Sequence, residues 1–234
     1  PENVMSTSYL QLTLEVLHRL GMDLRVSDSD IVVPKMQELK VKQFAVEPDM
    51  SSAFAIAATA ALCGEARFTG FPDNSLQPDG IFFDLLEEMG IQVEHRWKWT
   101  RVIKTRSFNG IDVDLGNAPD LFPVLAMLCC FAQGRSHLYG ASQLRFKESN
   151  RIDKVCELLT HLMIRFHKND DGVEIEGPIN MSLINPFSFD TDQDHRLAMA
   201  AGLLKRVGVP IEILNPQVVE KSFPDFFNII GVEA

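Results

Sequence analysis

One pattern in this chain occurs three times over, and the repetition limits the available folds more than any other feature. Each copy begins with a β-like run that ends at an aspartate: QFAVEPD to Asp49, IDVDLGNAPD to Asp120 and FSFDTDQD to Asp194. Each Asp opens an apolar stretch that closes on a glycine, at Gly64, Gly134 and Gly208, after nearly equal intervals. Asp at a helix start can accept hydrogen bonds from unpaired N–H groups, and Gly just past the end supplies a left-handed residue. The pattern therefore predicts a helix in each interval. The most apolar stretch, from Leu121 to Ala132, is too short to cross a bilayer and reads as a buried helix.

A second strand follows each glycine, as EARFTGF, RSHLYGA and VPIEILN, then a polar loop and an amphipathic helix. Those second helices read IFFDLLEEMG, RIDKVCELLTHL and FPDFFNIIG. In the first two copies two further β-like runs follow, IQVEHRW with TRVIKT and IRFHKND with GVEIEG. The unit is β-α-β-α-β-β, about seventy residues long. Three units are expected, over residues 43–110, 111–186 and 187–234. Residues 1–42 fit only the later part of a unit, with SYLQLTLEVLHRLG as its helix and MDLRV and DIVVP as strands. They are expected to be the tail of a preceding domain, in a chain that opens on Pro1 as a fragment of a longer protein.

Composition narrows the partners. A net charge of −10 argues against broad nucleic-acid binding, which needs surplus Lys and Arg to displace counterions. It leaves room for a small anion held by a local cluster of cations. Neither a secretory signal nor a membrane span is visible, and the four cysteines show no C-x-x-C or zinc spacing. The expectation is a cytoplasmic protein with reduced thiols. No metal-binding or nucleotide-binding motif occurs. Trp97 and Trp99 alternate on a strand-like run, read as a half-exposed edge strand.

Repeats bring equivalent positions together, so the candidate site consists of the three helix starts and the loops before the second helices. The loops run over Asn74-Ser75-Leu76-Gln77, over Arg145 to Arg151 and over Val218 to Ser222, and Ser6 occupies the matching place in the incomplete unit. That surface would carry Lys147, Arg151, Arg196 and Lys221 beside Asp120 and Glu148. Four cations and two carboxylates on converging helix starts suit anionic substrates handled by acid/base chemistry. Taken singly, each Asp is sufficiently explained as a helix cap and each cation as a solvated side chain. Position and spacing alone reach an anion-binding α/β protein.

KESNR (Lys147 to Arg151), QDHRLAMA and EKSFPDFF resemble motifs of the 5-enolpyruvylshikimate-3-phosphate synthases, as do APDLFPVLA, EPDMSSA and NSLQPDG, in the same order. The resemblance covers roughly Ser6 to Gly231 and implies an inside-out α/β barrel architecture of repeated β-α-β-α-β-β units. It implies the C-terminal portion of a two-domain protein that works as a monomer when full length. It also implies transfer of the enolpyruvyl group of phosphoenolpyruvate to the 5-hydroxyl of shikimate 3-phosphate, with no cofactor or metal. Asp120 matches the family's proton-accepting carboxylate, Glu148 its acid at the methylene, and Arg151, Arg196 and Lys221 its phosphoenolpyruvate cations. Lys221 also matches a group that assists proton transfer, and Ser6, Lys147 and Gln143 match shikimate 3-phosphate contacts. Gln143 replaces the usual Asn, Gln193 the Asn before DHR, Met163 a Gly that ends the second helix, and Pro48 a Gly before Asp49. The family's N-terminal Lys and Arg contacts, its central phosphoenolpyruvate-binding Arg and its Ser-Ser-Gln run have no counterpart here. The expectation is that the chain alone is inactive. The related UDP-N-acetylglucosamine enolpyruvyl transferase and a non-catalytic anion-binding module of the same fold stand as alternatives.

Overall fold

A computed structural model describes residues 7–27, 30–72 and 75–233. The repeat is realised as helices inside and sheets outside. The first helices of the three units are α2 (Met50–Cys63), α4 (Phe122–Cys129) and α6 (His195–Arg206), and each packs against the other two. They are buried on nearly every face, and every residue of α4 is buried. A helix apolar all round can be stable only where protein surrounds it. Alanines dominate α2, so helix backbones approach closely there. At Gly202 on α6 an added Cβ would meet the Phe226 ring at 2.8 Å and the Phe227 ring at 3.1 Å.

Each unit carries its own sheet on the outside. In the first, β3 (Glu65–Thr69), β4 (Gln92–Arg96) and β5 (Trp99–Ile103) form an antiparallel sheet in the order β3-β5-β4. In the second, β6 (Asp112–Asp114), β7 (Gly134–Tyr139), β8 (Arg165–Lys168) and β9 (Val173–Gly177) are ordered β6-β7-β9-β8, with β6 parallel to β7. In the third, β10 (Phe187–Asp190) lies parallel to β11 (Ile211–Leu214). The second helices are α3 (Phe82–Glu88), α5 (Arg151–His161) and α7 (Phe226–Ile230). Preceding all of this, α1 (Thr7–Arg19) buries no residue, and β1 (Arg25–Val26) pairs only with β2 (Ile31–Val32).

Four sequence expectations are corrected here. The run before Asp49 forms no strand: β3, its expected parallel partner, pairs only with β5. Phe44 and Val46 face solvent and Pro48 has no N–H, so pairing would bury little and lose a ladder bond. Gly64 ends α2 in extended backbone, whereas Gly134 and Gly208 take the expected positive φ. The Trp run is not an edge strand: Trp97 is exposed in the turn, and Trp99 sits on central β5 with the Arg67 guanidinium 4.4 Å from its ring centroid. Asp120 is not the cap of α4, for a reason that belongs to the site.

Candidate functional site

Asp49 and Asp194 cap as expected, accepting from the N–H groups of Ser51 and Arg196. Asp120 instead lies within a 3₁₀ turn, Pro119–Leu121, whose backbone closes on itself through Phe122 N–H donating to the Pro119 carbonyl. The turn satisfies the helix start without a side chain. Its carboxylate is thereby released toward the cations of the other units.

Those cations converge as the repeat predicts. Arg151, the first residue of α5, is 1% exposed and lies among three carboxylates. Its Nε and Nη2 donate to Asp194 Oδ2 and Oδ1 at 2.7 and 3.1 Å, a bidentate pair. Nη1 donates to Asp120 Oδ1 at 2.8 Å and Nη2 also to Glu148 Oε2 at 3.1 Å. Ser149 Oγ donates to Asp194 as well, at 3.0 Å. Sequence reasoning took Asp194 as a cap alone. Its second role, anchoring Arg151 across 43 positions of sequence, leaves no local signal.

Around Asp120, Lys147 Nζ lies 3.4 Å from Oδ1 and Arg196 Nη2 3.6 Å from Oδ2. Burial pushes the Asp120 carboxyl up, but Arg151, Arg196 and Lys147 outweigh it and hold the group below its ordinary value. Glu148 is also held low: burial raises it, while its own backbone N–H, Arg151 and Lys221 lower it further. Lys221, on the 3₁₀ segment Pro216–Lys221, reaches Glu148 Oε1 at 3.3 Å and is otherwise open to solvent. Arg196 is the least satisfied of the set. It is buried, yet its Nε and Nη1 have no hydrogen-bond partner. The neighbouring His195 Nδ1 is likewise buried and unpartnered, and burial, with Arg196, lowers the pKa of its imidazole.

Gln143 lies on the 3₁₀ segment Ser142–Phe146, where its Nε2 donates to the Gly116 carbonyl at 2.9 Å. Ser6 and Asn74 fall outside the described residues. Ser75 and Gln77 turn away from the cations. Both bond to Glu47, and Gln77 Oε1 accepts from the Met50 N–H, completing the start of α2. Two groups at the site were missed. Asp79, within the quoted NSLQPDG run, is buried and accepts the Tyr9 hydroxyl at 3.2 and 3.3 Å. The signal available was an acid directly after proline in a repeat-equivalent loop.

The arrangement can bind an anion. Arg196 offers buried, unpaired donors, and the long Lys147–Asp120 and Lys221–Glu148 pairs can open to engage a ligand's negative charge at modest cost. Among the described residues, no group of three or more His, Cys, Asp and Glu is placed to hold a metal, and no helix is long and apolar enough to cross a membrane.

The chain is similar to known proteins over nearly its whole length. A family model described as EPSP synthase (3-phosphoshikimate 1-carboxyvinyltransferase) matches residues 2–230. A 3-phosphoshikimate 1-carboxyvinyltransferase of Syntrophobacter fumaroxidans is 37% identical over 231 residues, 97% of this chain and 53% of the relative. One from Methanobrevibacter smithii is 37% identical over 84% of this chain and 44% of its own length. The crystal structure of an EPSP synthase from Acinetobacter baumannii superposes with a TM-score of 0.74 at 25% identity, covering 94% of this chain and 53% of that one. This likeness bears out the inside-out fold of repeated units. The chain spans about half the length of the curated relatives it matches.

Proposed function

The chain belongs to the EPSP synthase family, and from that premise we propose that it is the C-terminal portion of a two-domain enolpyruvyl transferase. In this reading residues 1–42 are the tail of the other domain and residues 43–234 one wall of the substrate cleft. The complete cytoplasmic, monomeric enzyme transfers the enolpyruvyl group of phosphoenolpyruvate to the 5-hydroxyl of shikimate 3-phosphate and releases phosphate.

The observation that carries the reading is Arg196, a buried guanidinium with two unpaired nitrogens beside an ionised Asp120. A cation left unsatisfied in the interior is costly unless a ligand completes it. In the reaction the hydroxyl oxygen bonds to the central carbon of phosphoenolpyruvate while a proton adds to its methylene. The tetrahedral adduct then loses phosphate as a methyl proton departs. Arg196 and Lys221 hold the phosphate and carboxylate of that adduct, and Arg151, fixed by its three carboxylates, adds its positive charge beside them. Asp120 takes the hydroxyl proton. As free carboxylate it is a weak base, because three cations stabilise its ionised form. When substrate anions draw Lys147 and Arg196 toward themselves, that stabilisation falls and Asp120 becomes basic enough to accept. Glu148, bridged to Lys221, moves the proton at the methylene carbon. Gln143 and Lys147 bind shikimate 3-phosphate, and Ser6 is assigned to the same substrate by its match to the family's motif alone.

Phosphate release from phosphoenolpyruvate and shikimate 3-phosphate tests the proposal. The full-length protein is expected to turn over and this chain alone to show no activity. A full-length protein that binds both ligands and forms no product would instead establish a non-catalytic module.

A further inference from the structure

The remaining buried polar cluster lies where α1 meets the three-unit body. Asp79 is 3% exposed and receives two hydroxyls, Tyr9 from α1 and Ser51 from α2. Asp120 and Arg196 face it from the turn before α4 and from α6. Helix α1 buries no residue of its own. Its first turn is tied down by Tyr9 to Asp79 and by Ser8 Oγ donating to the Asn117 carbonyl at 2.8 Å. The Tyr9 ring so placed lies beneath the Lys147 ammonium, 5.7 Å from Nζ to the ring centroid. That ammonium is the one 3.4 Å from Asp120. A continuous path therefore runs from the Asp79 carboxyl through the Tyr9 ring to Lys147.

Resting on the function proposed above, we propose that Asp79 is a positioning residue: it fixes the Tyr9 ring and the first turn of α1 against Lys147, and thereby sets affinity for the phosphorylated acceptor. Several observations favour that role over a merely structural one. The carboxyl is aimed at two donors whose backbones belong to different helices. Burial pushes the Asp79 carboxyl up to about 6, a cost that an apolar residue at the same place would avoid. Tyr9 is held protonated by the same burial and by Asp79, so its hydroxyl remains a donor. Among the described residues Arg196 and Lys221, on the phosphoenolpyruvate side, make no hydrogen bond to Asp79 or Tyr9, and Arg196 meets the Asp79 carboxyl only through its charge, so the larger effect falls on the phosphorylated acceptor.

The test uses the full-length protein with Asp79→Asn, Tyr9→Phe and the double variant, read as separate KM values for the two substrates. In Asp79→Asn the charge is removed and one acceptor oxygen becomes an amide N–H, which can hold a hydroxyl only if that hydroxyl turns from donor to acceptor, so one of the two ties is weakened. KM for shikimate 3-phosphate is expected to rise about tenfold, KM for phosphoenolpyruvate to change less than about twofold, and kcat less than about threefold. Tyr9→Phe should raise the same KM, and the double variant should be no worse than Asp79→Asn alone, because both changes cut one path. Equal change in both KM values, or additive effects, would overturn the inference. If Asp79→Asn fails to fold, Tyr9→Phe decides alone, and an unchanged acceptor KM there refutes it. A wild-type protein without turnover would instead overturn the function on which this role rests.

Discussion

Replacing Asp194 with Asn removes a charge at the point where the site is most deeply buried. The Asp194 side chain is 0% and the Arg151 side chain 1% exposed, and two guanidinium bonds join them. Breaking a buried ion pair from one side costs about 3–5 kcal/mol, chiefly because the remaining charge is left uncompensated. Here Arg151 keeps Asp120 and Glu148, so the lower end, about 3 kcal/mol, applies to Asp194→Asn. Asn retains an oxygen that can accept from the Arg196 N–H, so the α6 cap survives. Ala loses that as well, which adds about 1 kcal/mol and brings Asp194→Ala to about 4 kcal/mol. Urea unfolding of the chain, followed by far-UV circular dichroism at neutral pH, measures both. The expected order is wild type, then Asn, then Ala, with the larger step first. An Asn variant within about 1 kcal/mol of wild type would show that Asp194 does not anchor Arg151. Asn and Ala variants of equal stability would remove the cap from its description.

Three further outcomes follow from the geometry. Stability linked to Asp79 is fully present below its ordinary 3.8 and is lost as pH rises through about 6. The Asp120 and Glu148 contributions run the other way, being lost as pH falls through their lowered values. Asp79→Asn should remove a slope of up to about 3 kcal/mol between pH 4 and 7, read from urea midpoints at the two ends; an unaltered slope contradicts it. Lys221→Ala breaks only an exposed pair, so stability should shift by less than about 0.5 kcal/mol, while turnover of the full-length enzyme falls at least about 100-fold. Gly202→Ala drives a methyl into the Phe226 and Phe227 rings and should cost about 1–3 kcal/mol in a urea titration, with helix content retained.

The fold was legible because it is written three times in periodicities of strand and helix, and a period survives even where one copy deviates. The candidate site was legible where its members sit at repeat-equivalent loops and helix starts, as Lys147, Arg151, Arg196 and Lys221 do. What escaped was non-local or stereochemical. Tyr9 meets Asp79 across 70 positions, a contact that no window along the sequence can hold. The strand before Asp49 failed although β3 keeps an open edge, because Phe44 and Val46 face solvent and Pro48 has no N–H, so pairing there would gain little. Met163 and Gln193 hold positive φ values of 54° and 58°, so the backbone kept a glycine-like bend where the sequence offers none.

The self-closing turn at Pro119–Leu121 sets the middle unit apart from its two neighbours. Duplication delivers three copies of one structural solution, each with an aspartate occupied by its own helix. In the middle copy the backbone has taken over the side chain's task, and the aspartate is free to change employment. The middle unit therefore differs less by a new residue than by the relief of an old one, while in the two copies beside it the aspartates still start their helices.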